Sequence, residues 1–102
     1  MRKYEITYSQ KAIEDLQILS EYIFHTCSAP QTARIYAQNI VDLINSLKNS
    51  AESYPLFNRR SFLKYGYNVR RINYKKMAII YTIHGKTVLI HRIISGAVLS
   101  EM

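Results

Sequence analysis

The residues best suited to chemistry are His91 and Arg92, adjacent in the last apolar run, and a set of cations upstream of them. An imidazole with an ordinary pKa of about 6.5 suits a general acid or base. A guanidinium presents a planar fork of donors that matches phosphate oxygens. Arg59, Arg60, Lys64, Arg70, Arg71, Lys75 and Lys76 form the candidate set for contacting phosphate or another target. The other two histidines are weaker candidates. His25 falls near the end of a helix, where an imidazole interacts well with the helix dipole, and His84 borders a turn and reads as solvated. Adjacent strand residues point to opposite faces, so His91 and Arg92 share one site only across a bulge. Without one, a member of the pair packs under the helices, and spacing does not say which. No His, Cys and carboxylate cluster has metal-ligand spacing, so neither a metal nor another cofactor is expected.

Charge placement suggests what these cations face. Residues 1–52 carry five Lys/Arg against six acids, whereas residues 53–100 carry nine Lys/Arg and no acid. The net charge of +7 is thus concentrated in the C-terminal half, as for a surface that meets a polyanion or an acidic protein. At 102 residues and 48% apolar content the chain reads as one domain, 1–102, and not as a disordered one. No run is long and apolar enough for a bilayer span, and no apolar stretch follows Arg2-Lys3 as in a signal peptide. The single cysteine, Cys27, has no internal disulfide partner, and a cytoplasmic protein without membrane contact is expected.

The elements that must position these residues follow from periodicity. Lys3 to Tyr8 alternates and reads as a short strand. Ser9 offers an N-cap for a helix to about Thr26, with Ala12, Leu16, Leu19 and Ile23 on one stripe. Ser28 and Pro30 punctuate the connection to a second helix, where Ala33, Ala37, Ile40, Ile44 and Leu47 repeat the spacing up to Lys48-Asn49-Ser50. The stretch to Asn58 reads as loop, and Asn58 to Tyr65 as an exposed basic loop leading into a sheet. Asn68–Tyr74, Met77–Ile83 and Thr87–Ile94 are strands, the last two joined by a turn at Gly85-Lys86 that uses glycine's tolerance of positive φ. Tyr81 reads as packed on the sheet, whereas Tyr65 and Tyr67 stay open between packing and base stacking. The fold class is α+β, in the order β-α-α-β-β-β: an antiparallel helical hairpin packed on a small antiparallel sheet.

Several patterns resemble the RelE/ParE toxin superfamily. They are Ala12-x-x-Asp15-Leu16-x-x-Leu19-x-x-Tyr22-Ile23, Pro30-x-x-Ala33 with its following stripe, Arg71, Ala78 to Ile83, and Val88 to Gly96. The resemblance implies the toxin of a bacterial type II toxin–antitoxin system, neutralised by a cognate acidic antitoxin with which it can form a hetero-oligomer. Two activities occur in that superfamily. RelE-type members cut messenger RNA on the ribosome; ParE-type members poison DNA gyrase and are not known as nucleases. RNA cleavage needs activation of the 2′-hydroxyl, stabilisation of the charged phosphorane and protonation of the leaving oxygen. Where RelE-type enzymes often carry an arginine on the penultimate strand, this chain has Ala78, and beyond the last strand it has Ala97-Val98-Leu99. These departures and the long helical hairpin place the chain nearer the ParE type, with no confident catalytic residue beyond the candidates His91 and Arg92. A ribosome-dependent, metal-independent endonuclease and a non-toxic basic binding module remain the alternatives.

Overall fold

The structure, a computed structural model, describes residues 3–27, 30–57, 59–66 and 68–101, with side chains left aside at 22–27, 30, 33, 61, 100 and 101. Expectations for the side chains of Tyr22, Ile23, His25, Cys27 and Ala33, and for Ser28, Asn58 and Tyr67, lie outside the described residues. Strand β1 spans Glu5–Tyr8, and helix α1 follows at Gln10–Cys27. The Ser9 hydroxyl oxygen accepts the Ala12 N–H at 3.1 Å, a cap that stabilises a helix start by about 1 kcal/mol. Helix α2 spans Pro30–Ser50 and runs into a 3-10 turn at Ala51–Ser53. After a second 3-10 segment at Arg60–Tyr65 come β2 (Arg70–Tyr74), β3 (Met77–His84), β4 (Thr87–Ser95) and a short helix α3 (Gly96–Glu101).

The sheet order is β1-β4-β3-β2. The β2–β3 and β3–β4 pairs are antiparallel, but β1 lies parallel to β4, with Glu5 opposite Thr87 and Tyr8 opposite Ile90. The sheet is therefore mixed rather than wholly antiparallel. Alternation within a strand reports which residues face the core, and it carries no information about which distant strand is its neighbour. Gly85 turns the β3–β4 hairpin at φ 61°, as glycine permits. The β2–β3 turn instead places Lys75 at φ 53°, in the left-handed region that a side chain disfavours.

The helical hairpin covers one face of the sheet. Ala12, Leu16 and Leu19 of α1 and Ile40, Leu43, Ile44 and Leu47 of α2 pack on Ile72, Ile79, Tyr81, Val88, Ile90 and Ile93. Tyr81 is fully buried, and its hydroxyl donates to the Ala51 carbonyl at 2.7 Å. Burying the phenol pushes its pKa up, since the charged form would lose its water.

The opposite face is covered as well, which the sequence pattern did not anticipate. Phe62, Val69, Ala78, Ile80, Ile94 and Leu99 form a second buried cluster, with Phe57 and Tyr65 packed against it. The 3-10 segment therefore is not a free loop. Phe62 inserts fully while Arg60, Leu63 and Lys64 stay exposed. Helix α3 contributes Leu99 to the same cluster.

Candidate functional site

The register of β3 on β4 shifts between Ile80 and Tyr81. Tyr81 pairs with Ile90 and Ile80 with Arg92, which leaves His91 as the extra residue of a bulge. A bulge inserts one residue and resets the alternation beyond it. As a result Ile90 faces the helices, while both His91 and Arg92 reach the second face. Neither member of the pair packs under the helical hairpin, contrary to expectation, because the bulge absorbs the alternation that would have separated them.

His91 is sealed there. Its ring stacks on Tyr65 at a centroid distance of 4.2 Å and an interplanar angle of 22°, and its residue exposure is 8%. Its Nε2 lies 2.7 Å from the Thr82 hydroxyl, and the same hydroxyl lies 2.7 Å from Nε2 of the exposed His84. A hydroxyl has one proton, so it donates to one imidazole and accepts from the other, and the two rings take complementary roles. His84 is thus hydrogen-bonded, not merely solvated. Burial, and then the nearby His84, push the pKa of His91 down from 6.5 to about 4. His91 is neutral at neutral pH and has its Nε2 already engaged.

Arg92 is equally committed. Its Nε donates to Asp15 Oδ2 at 2.7 Å and its terminal nitrogen to Oδ1 at 3.1 Å. The side-chain exposures of the pair are 17% and 10%. Asp15 Oδ2 also accepts the Ile93 N–H at 3.0 Å, on the stretch of β4 beyond the last residue of β1. The hydrogen bond to Asp15 raises the Arg92 pKa further, with Tyr65 adding to it. In the sequence Asp15 stands out only as part of a helix pattern, yet its position carries a signal. It lies three residues after Ala12 and beside Leu16 on the buried stripe, and a carboxylate placed there requires a partner.

The remaining cations divide into separate environments. Arg70 donates to the Glu52 carbonyl at 3.3 Å and to the Tyr54 carbonyl, pinning the segment after α2. Arg71 donates from Nε to Asn73 Oδ1 at 2.7 Å and lies 5.1 Å from the Phe57 ring centroid. Lys64 sits 5.2 Å from the Tyr65 centroid. Arg59 gives its carbonyl to the Phe62 N–H at 2.9 Å, and Arg60 is exposed. Lys75 lies 5.6 Å from both Tyr36 and Tyr74, whose rings meet edge to face at 5.2 Å. Lys76, beside it, is exposed and accepts the Gly96 N–H on its carbonyl at 2.8 Å. The structure places Lys64 and Arg71 over second-face aromatics, leaves Arg60 exposed at the start of the 3-10 segment, and assigns Arg70 and Lys75 to local packing. Among the described residues, no group of three or more His, Cys, Asp or Glu is placed to hold a metal ion.

Chemically, among the described residues the site offers cations and aromatic rings, and its one buried imidazole, His91, is covered by Tyr65 and engaged by Thr82. A general base must reach its proton within hydrogen-bond distance, directly or through one water. Tyr65 covers the His91 ring, and Phe62 stacks against Tyr65 at 5.9 Å. Tyr65 and Thr82 went unrecognised as neighbours of His91, because nothing in their spacing reports contacts across a bulge.

No curated protein matches the chain in sequence. The fold is similar to that of a chain in the chromosomal ParDE toxin–antitoxin system from P. aeruginosa. That likeness has TM-score 0.75 and 19% identity, and covers 91% of this chain and 96% of that one. A chain of the toxin–antitoxin complex RelBE2 from Mycobacterium tuberculosis is similar at TM-score 0.64 and 15% identity, over 91% of this chain and 98% of that one. In sequence, residues 6–98 match the ParE toxin of the type II toxin–antitoxin system, parDE. With that match running from within β1 through α1, α2 and β2–β4 into α3, the chain belongs to the ParE toxin family.

Proposed function

We propose that this protein is a growth-inhibiting toxin that acts on DNA gyrase by protein–protein contact, without cutting RNA, and that an acidic antitoxin neutralises it. The observation that carries this reading is the commitment of its one candidate catalytic pair. His91 is neutral and stacked beneath Tyr65, and Arg92 is held bidentately by Asp15. Ala78, where a cation would serve a nuclease, is buried in the second-face cluster. A helical hairpin of 18 and 21 residues agrees with the ParE type. Both similar structures come from toxin–antitoxin systems, which supports an antitoxin partner here.

Expression of the chain in bacteria tests this reading. Growth arrest with filamentation and a DNA-damage response, while bulk translation at first continues, is the expected result. Co-expression of the adjacent small acidic frame should restore growth. Immediate arrest of translation with new messenger ends at ribosomal A-site codons would overturn it in favour of ribosome-dependent cleavage.

A further inference from the structure

The two edges of the sheet are not finished alike. Beside β2, the Phe57 N–H donates to the Val69 carbonyl at 2.7 Å and Leu56 bridges Arg70, so the preceding segment covers the start of that edge. β1, the other edge, pairs with β4 on one side only. The Glu5 N–H donates to the Lys86 carbonyl at 2.8 Å and the Ser9 N–H to the Ile90 carbonyl at 2.9 Å, which fixes the odd-numbered residues of β1 toward β4. Successive residues of a strand turn their backbone groups to opposite sides, so those of Tyr4, Ile6 and Tyr8 point away from the sheet. Tyr4 is closed off there, because its N–H donates to the Lys48 carbonyl of α2 at 2.8 Å. Among the described residues, Ile6 and Tyr8 have no such backbone partner. They open on a groove of about 510 Å³ between β1 and α2, where Asn45 and Lys48 form the opposite wall.

An open edge is a template for another strand. With Tyr4 closed and Gln10 already in α1, one antiparallel register of two identical strands uses both free residues: Ile6 opposite Tyr8, and Tyr8 opposite Ile6. Each such pair exchanges two hydrogen bonds. On the side facing the helices this register sets an aromatic ring beside a β-branched side chain twice. On the other side Thr7 meets Thr7 at the two-fold axis, and both kinds of pair are favourable across strands. The exposed Glu5 then falls opposite Ser9 of the second copy, at the start of its α1. That helix has no acid in its first turn and carries the exposed Lys11. An incoming carboxylate therefore meets positive charge from the helix dipole and from the ammonium. Symmetry makes the contact twice.

We infer that the free edge of β1 is a self-pairing surface, on which a second copy of this chain docks antiparallel with Ile6 opposite Tyr8 and Thr7 on the two-fold axis. One sheet then runs through both copies. The inference does not depend on the toxin reading.

Sedimentation of the full chain from micromolar to millimolar concentration, with hydrogen exchange followed by NMR, tests it. The chain should pass from monomer to dimer, and the Ile6 and Tyr8 amides should gain protection over the same range. Thr7 is exposed, so Thr7→Lys and Thr7→Glu leave the core intact. Each sets like charges directly opposite at the axis and should weaken the dimer about tenfold or more. An equimolar mixture of the two variants should restore it, because the axis then joins opposite charges. A chain that is monomeric throughout, a dimer indifferent to both substitutions, or a mixture no tighter than either variant would each overturn the inference. So would protection at Ile6 and Tyr8 that appears only when a different polypeptide is added.

Discussion

Acid should loosen this fold through His91, and the size of the effect follows from its surroundings. Folding favours the neutral imidazole, because the ring is buried beneath Tyr65 and its pKa falls from 6.5 to about 4. Between those values the unfolded chain binds the proton more readily than the folded one. The stability tied to His91 is therefore complete above pH 6.5 and declines as pH falls toward 4. At about 1.4 kcal/mol per pKa unit, the loss between pH 7 and pH 4.5 is roughly 2 kcal/mol. The charges near the ring give the new proton no relief. Lys64 lies over Tyr65, Arg92 is adjacent and His84 is joined through Thr82, while Asp15 already serves Arg92. His91→Phe keeps an aromatic ring for Tyr65 to stack on and removes the titration. Urea unfolding at the two pH values, followed by circular dichroism, isolates the difference, because other acid-sensitive groups are common to both proteins. The variant should be less stable at pH 7, where Thr82 loses a partner, and the gap should narrow by roughly 2 kcal/mol at pH 4.5. A gap that stays constant with pH would refute the argument that burial keeps His91 neutral.

Two further substitutions probe the framework. Asp15→Asn breaks a largely buried ion pair (side-chain exposures 17% and 10%) and should lower the unfolding free energy by roughly 3 kcal/mol. Asp15→Leu should cost still more, because the Ile93 N–H then loses its acceptor as well; a neutral result by urea denaturation would show the clamp contributes nothing. At Lys75, φ 53° makes glycine preferable to alanine. Lys75→Gly should therefore be more stable than Lys75→Ala by about 1 kcal/mol. Both lose the contacts with Tyr36 and Tyr74, so the difference in melting temperature reports the backbone alone, and equal values would contradict it.

The helices and the β-hairpin were legible because their information is local. The Ser9 cap, the stripe from Ala12 to Leu19, the α2 stripe from Ile40 to Leu47 and the turn at Gly85 each lie within a few residues of what they specify. The parallel pairing of β1 with β4 was not legible, since Glu5–Tyr8 alternates equally well beside any neighbour. Nor was the packed second face. Asn58 to Tyr65 is rich in cations and reads as solvent-exposed, yet Phe62 within it is fully buried. A 3-10 segment can bury one ring and leave its neighbours in water, as Leu63 and Lys64 show, without any periodicity long enough to detect.

The bulge at His91 carries most of the functional consequence and leaves no mark of its own in the sequence. Strict alternation from Val88 onward would have placed Ile90 and Arg92 on one face, and a guanidinium would then have been driven under the helical hairpin among Ile40, Ile44 and Tyr81. The extra residue removes that conflict. Ile90 remains in the first core, Arg92 emerges on the second face, and Ile93 returns to the first. Asp15, the one acid among the apolar positions facing β4, reaches the guanidinium and the Ile93 N–H together. One carboxylate thus holds the bulged strand in register, pairs a cation that would otherwise be poorly solvated, and ties α1 to β4. The same arrangement commits Nε and one terminal nitrogen of Arg92 to Asp15, so the geometry that ties this strand to α1 also fixes the guanidinium fork on a carboxylate instead of leaving it turned toward a phosphodiester.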